Sequence, residues 1–150
     1  IQVSSGNQQA SPVYSALASG ALAAMPADTP RLSVEVPAEP RNLYATTKVF
    51  AESLCRVYAG QGRMSCLAIR IGWVISEDHP LHNRGDIWCS QADIARLVRC
   101  CLDAPADLRF GIFYGMSECR RRWVDLENAR QLVGYVPQDR AEDREGTVTG

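Results

Sequence analysis

Lysine is almost absent from this chain: a single one, Lys48, stands against fifteen arginines. Arginine therefore serves wherever a generic positive charge is wanted. The surviving lysine is expected where a compact ammonium on a flexible stem is needed and a guanidinium fork does not fit. An excess of either charge is missing too. The net charge of −1 gives no electrostatic reason to expect nucleic acid or an anionic membrane as a partner. No apolar run nears the roughly 20 residues of a membrane-spanning helix, and the opening residues lack the pattern of a secretory signal. Histidine is scarce, and His79 and His82 with Cys89 match no strong zinc spacing, so no metal site is expected. Internal repeats are absent. Cysteine is not scarce, but Cys55, Cys66, Cys89, Cys100, Cys101 and Cys119 fall mostly inside apolar helix or strand patterns. They read as reduced core residues of a cytoplasmic protein, not as a disulfide framework.

What is present organises into strands and helices. A chain of 150 residues can bury the core of one domain. It begins with Ile1 in what reads as mid-strand (Ile1 to Ser4, running into the turn Ser5-Gly6-Asn7), which leads to the expectation of a fragment whose N-terminal part lies upstream. Ser11 to Pro40, rich in Ala, Ser and Pro, reads as a long loop with room for a helical turn around Ala16 to Ala24. Pro37 and Pro40 keep the next helix from starting before Arg41. Leu43 to about Ala59 has a helical period, with Val49, Phe50, Leu54, Val57 and Tyr58 on one apolar stripe, and Gly60 and Gly62 stop it. Cys66 to Ile75 is nearly all apolar, as a strand covered on both faces requires, except for Arg70, which needs a partner if buried.

His79 to Cys89 reads as a polar loop. Ser90 with Asp93 resembles the start of a capped helix that continues through Ile94, Leu97, Val98, Cys101 and Leu102. Phe110 to Tyr114 is a short strand, and Leu126 to Val133 a helix with Asp125 as N-cap and Gly134 as stop. The tail from Gln138 is charged and reads as frayed. Arg120-Arg121-Arg122 reads as a solvated basic run. Alternating strands and helices point to α/β layering around a parallel sheet, and three strands are too few for a complete doubly wound sheet.

The chemistry concentrates at Tyr44-Ala45-Thr46-Thr47-Lys48. Residues four apart share a helix face, so phenol and ammonium project together. A phenol titrates near pH 10, too high for a base at neutral pH, and a neighbouring positive charge brings it down. It can then exchange a proton with a substrate hydroxyl or carbonyl. A serine hydroxyl at the carboxyl end of a central strand completes such a site, and Ser4 and Ser5 stand there.

These residues carry a resemblance. Ser4-Ser5 after a strand, Tyr44-x-x-x-Lys48 opening a helix and Leu67-Ala68-Ile69-Arg70-Ile71-Gly72 resemble the extended short-chain dehydrogenase/reductases, within them the NAD-dependent epimerase/dehydratase family and its uronate-dehydrogenase-like members. Pro40 to Tyr44, Phe113-Tyr114-Gly115, Arg122 to Glu127 and Gly134 to Asp139 are similar to stretches in the same order. The resemblance implies the C-terminal portion of a Rossmann-type doubly wound parallel sheet over residues 1–143, with 11–40 a loop and 144–150 a frayed tail. It implies NAD or NADP as cofactor, Tyr44 as catalytic acid/base, Lys48 on the nicotinamide ribose, and Ser5, or else Ser4, on the substrate oxygen. Ile71, Gly72 and Trp73 are placed beside the nicotinamide, and Arg84 and Asn7 on the side of a sugar or sugar-acid substrate. A homodimer through the helix bearing Tyr44 is a further expectation by resemblance.

The chain also departs from the family. It holds no glycine-rich dinucleotide turn, since Gly60-Gln61-Gly62 follows a helix instead of a strand. The interval from Ser5 to Tyr44 is longer than usual, and Trp73 is bulkier than the small residue common after that glycine. Three readings follow: a sugar or sugar-acid oxidoreductase, a sugar-nucleotide epimerase/dehydratase, and a non-catalytic module on the same fold.

Overall fold

The computed structural model describes residues 2–5, 30–80, 85–120 and 122–144, and of 2–5 the backbone. Among the described residues three strands, β1 (Gln2–Ser5), β2 (Cys66–Ile71) and β3 (Phe110–Gly115), form a parallel sheet in the order β1-β2-β3. Ser4 pairs in register with Arg70 and Ser5 with Ile71, while Cys66 faces Phe110 and Ile71 faces Gly115. Helices α1 (Leu43–Gly60), α2 (Gln91–Leu102) and α3 (Glu127–Val133) pack against the sheet, and the short α4 (Ala141–Arg144) packs against the turn 85–87.

Side chains alternate across a sheet, and the two faces of β2 meet different helices. Arg70 reaches Glu52 of α1. On the opposite face Ile69 lies beside Ile94 and Leu97 of α2 around the backbone of Gly115. That second face holds most of the core, including Leu67, Ile69, Leu97 and Phe113.

The apolar stripe of α1 points the wrong way for a core stripe. Phe50, Leu54, Val57 and Tyr58 are exposed, and the residues that α1 buries are Ala45, Glu52 and Ala59. Helical period identifies a stripe but not what it meets. Here small side chains and an acid with a waiting arginine face the sheet.

β2 ends four residues before the apolar run does. The Gly72 amide still donates to the Gly115 carbonyl, at 2.9 Å, and then Trp73 leaves the sheet to pair with 87–89. That second segment is not a polar loop, because Ile87, Trp88 and Cys89 are buried.

The residues from Gln138 to Arg144 are not frayed. Asp93, fully buried at the start of α2, accepts from the Ser117 hydroxyl at 2.6 Å and from the amides of Gln138 (2.9 Å) and Asp139 (3.1 Å), and pairs with Arg96. Ala141 is buried, and Arg144 pairs with Asp78 and Asp139. A buried carboxylate needs this many donors, and its need orders the tail. The Ser90 hydroxyl accepts from the Asp93 amide at 2.9 Å, as the capping pattern implies, but the Ser90 amide donates to Ser117 and not to Asp93. α3 begins after Leu126, which gives no side-chain cap, while Asp125 accepts from the Glu127 amide at 2.9 Å; Gly134 stops it in the left-handed region at φ 72°. Part of the Ala/Pro-rich segment is also tied down: Leu32 exchanges backbone bonds with Trp123 and Asp125. The helical turn around 16–24 lies outside the described residues.

Candidate active site

Asn42 starts α1. Its side-chain oxygen accepts from the Ala45 amide at 2.8 Å, and Ala45 is fully buried, which fixes the first turn against the sheet. Tyr44 stands inside that turn and Lys48 one turn later. Two contacts then orient the helix. The Arg56 guanidinium lies 4.2 Å from the ring centroid of Phe110, at the beginning of β3. Glu52 meets Arg70, near the end of β2. Moving from Arg56 to Glu52 thus travels along the strands toward their carboxyl ends. Continuing two more turns brings Lys48 and Tyr44 to that edge, where Ser5, Ile71 and Gly72 also stand. Open parallel α/β sheets place their ligands at this edge.

The Lys48 ammonium lies 5.1 Å from the centroid of the Tyr44 ring. Tyr44 is 51% exposed and Lys48 half-buried, so the phenol is reachable while the cation is partly shielded. Among the described residues Lys48 makes no salt bridge, which leaves its donors available. A second tyrosine–cation pair offers a control. Arg70 lies 5.6 Å from the Tyr114 ring and donates to its hydroxyl at 3.4 Å, but Tyr114 is fully buried. Burial pushes the Tyr114 phenol up more than the guanidinium brings it down. That pair has no route to a substrate.

Arg70, which needed a partner, has one. Its guanidinium grips the Glu52 carboxylate with two bonds of 3.0 Å. Burial works against the charge on Arg70, yet Glu52 and Tyr114 together raise its pKa above the ordinary value. The arginine is structural. Glu52 was not singled out from the sequence, although a lone acid on the helix before a strand arginine is the signal that could have found it.

At the strand edge Ile71 is half-buried, Gly72 buried, and Trp73 40% exposed. A Cβ on Gly72 would stand 2.3 Å from the Ile87 carbonyl oxygen and 2.7 Å from the Met116 sulfur, so only glycine fits. The Trp73 amide donates to Ile87 at 2.7 Å, and its carbonyl accepts from Cys89 at 2.9 Å, which sets the indole at the rim. Ser4 and Ser5 close β1 beside these residues in register. Asn7 and Arg84 lie outside the described residues.

A profile of the NAD dependent epimerase/dehydratase family matches residues 6–148. The chain belongs to that family. Among curated members it is similar to the NAD-dependent glucose-6-phosphate dehydrogenase of Haloferax volcanii, 35% identical over 107 residues that cover 69% of this chain and 40% of that protein. It is also similar to the uronate dehydrogenase of Agrobacterium fabrum, 32% identical over 114 residues, 76% of this chain and 42% of the relative. Among solved structures, glucuronic acid dehydrogenase from Chromohalobacter salexigens superposes with a TM-score of 0.72 at 27% identity, covering 99% of this chain and 52% of its own. The chain spans about half the length of these proteins, or less, and shares with the solved dehydrogenase a Rossmann-type parallel α/β arrangement. No helix among the described residues is long and apolar enough to cross a membrane.

Proposed function

We propose that this chain carries the acid–base edge of an NAD(P)-dependent oxidoreductase that acts on a hydroxyl of a sugar or sugar acid. The observation that supports it most is the exposed Tyr44 phenol with the Lys48 ammonium 5.1 Å from its ring, at the carboxyl edge of a parallel sheet. The names of the relatives, which are sugar-phosphate, uronate and arabinose dehydrogenases, favour this reading, and the cofactors in those names are NAD and NAD(P).

The residues at this edge fit the nicotinamide end of such a cofactor. An ammonium with uncommitted donors suits ribose hydroxyls, and the close-packed Gly72 with Ile71 and Trp73 offers a flat, largely apolar rim for a ring. When bound, the cofactor accepts a hydride from the substrate carbon. Tyr44 takes the proton of the substrate hydroxyl as that carbon is oxidised, and Lys48 stabilises the phenolate that receives it. Ser5, with Ser4 as the alternative, holds the substrate oxygen, and Asn7 and Arg84 belong to the substrate side.

Replacing Tyr44 by Phe in the whole protein tests this. Turnover of uronates, hexose phosphates or pentoses with NAD is expected to fall about 10²- to 10⁴-fold while NAD affinity is retained, because one proton-transfer group is lost. Unchanged turnover overturns the assignment. The same assay reads net NADH, which an oxidoreductase accumulates and an epimerase, returning its cofactor each cycle, does not.

A further inference from the structure

Cys55, Cys66 and Cys100 are the half-buried members of the cysteine set, and all three are free thiols. Cys66 opens β2 on the sheet face that carries Arg70, two alternations further along. Cys55 follows Glu52 by three residues on α1, on the side that meets that face. Glu52 on Arg70 and Arg56 over Phe110 hold α1 above β2 and β3 at two points. Phe110 is the register partner of Cys66, so Cys55, adjacent to Arg56, is held over the strand starts where Cys66 stands. Burial first, and then the neighbouring Cys66, push the Cys55 thiol above its ordinary range. The remaining cysteines Cys89, Cys101 and Cys119 are buried.

We propose that Cys55 and Cys66 form a reversible disulfide that ties α1, the helix bearing Tyr44 and Lys48, to β2, with a small-molecule disulfide such as oxidised glutathione as the oxidant. A thiolate of the pair attacks one sulfur of the oxidant, forms a mixed disulfide and releases one glutathione thiol. The second protein thiolate attacks the protein-bound sulfur and releases the other glutathione. The two protein thiols lose two hydrogens and two electrons, and the oxidant leaves as two thiols. The bond closes the short loop 56–65, which contains the turn after α1, and so restricts the unfolded chain. It leaves the first turn of α1, where Tyr44 stands, uncovered. The raised Cys55 thiol makes the exchange slow at neutral pH and faster in alkali.

The purified protein, equilibrated with oxidised or reduced glutathione, quenched by alkylation and mapped by peptide mass spectrometry, tests this. The expected result is a Cys55–Cys66 cross-linked peptide two hydrogens lighter than the reduced pair. A melting temperature raised by roughly 4 °C or more and reversal of both effects by reductant are expected with it. Cys55→Ser is expected to leave Cys66 as a glutathione adduct with no rise in melting temperature. Both thiols remaining alkylatable in oxidised buffer, separate adducts on each, or a cross-link to another cysteine overturns the proposal. If Cys55→Ser fails to fold, the peptide map of the unsubstituted protein decides alone.

Discussion

Two tyrosines among the described residues sit beside a cation, and exposure separates them. Tyr114 is enclosed with Arg70 and Glu52, whereas Tyr44 opens to solvent next to Lys48. The sequence offset of four picks out the second pair because helix geometry dictates it. The first pair joins two strands and has no sequence spacing to betray it. Burial also marks single thiols. Cys89 is fully enclosed, and burial first, with the Asp93 carboxylate behind it, pushes its thiol from 9.0 up to about 12. The fold therefore keeps a proton that the unfolded chain releases above pH 9. Stability from this thiol is fully present below that pH and is lost as pH rises toward 12. Thermal melts between those limits are expected to decline more gently in Cys89→Ala than in the unsubstituted protein, even though the variant starts lower. Cys101, pushed to about 11, supplies slope common to both. Parallel declines refute the assignment to Cys89.

At the scale of elements, α1 is held by charge where a core stripe was expected. Its exposed Phe50, Leu54, Val57 and Tyr58 contribute little to its seating, while Glu52 and Arg70, 6% and 5% exposed, lock it over β2. Removing one partner strands the other's charge out of water. Arg70→Met is expected to cost about 3–5 kcal/mol in urea unfolding, and Glu52→Leu with Arg70→Met to recover most of that, since a dry apolar pair replaces a dry ionic one. A double variant no better than the single one contradicts this account. The same pair shows what was legible in the sequence. The start and stop of α1, the Ser90 cap of α2 and the Gly134 stop of α3 are local chemistry, and local pattern finds them. The outward stripe of α1, the early end of β2 and the ordered segment 138–144 depend on distant groups: Arg70, the 87–89 segment and the buried Asp93. No window of neighbouring residues contains those causes.

Across the whole molecule, the sequence order of strands and helices carried the α/β parallel sheet, because each element's period is read within itself and parallel connections demand helices between strands. The edge that gathers Tyr44, Lys48, Ile71, Gly72 and Trp73 followed less from pattern than from resemblance, since three separate elements contribute to it. In the proposed function that edge serves one end of a dinucleotide only. The tight binding of a pyrophosphate in such folds comes from a glycine-rich turn feeding a helix N-terminus, where backbone amides and the helix dipole meet the negative charge. The sequence shows no glycine-rich run of that kind after β1, β2 or β3. Expressed as they stand, they are expected to bind NAD with a Kd of about 1 mM or weaker, and Lys48→Met to weaken the residual binding further, because the ammonium is the main polar donor offered to the ribose. Isothermal titration or ligand-observed NMR reads both. Micromolar binding by these residues would mean that the strand edge alone supplies the affinity, and the assignment of Lys48 to a ribose contact at one end of a longer site would have to be given up.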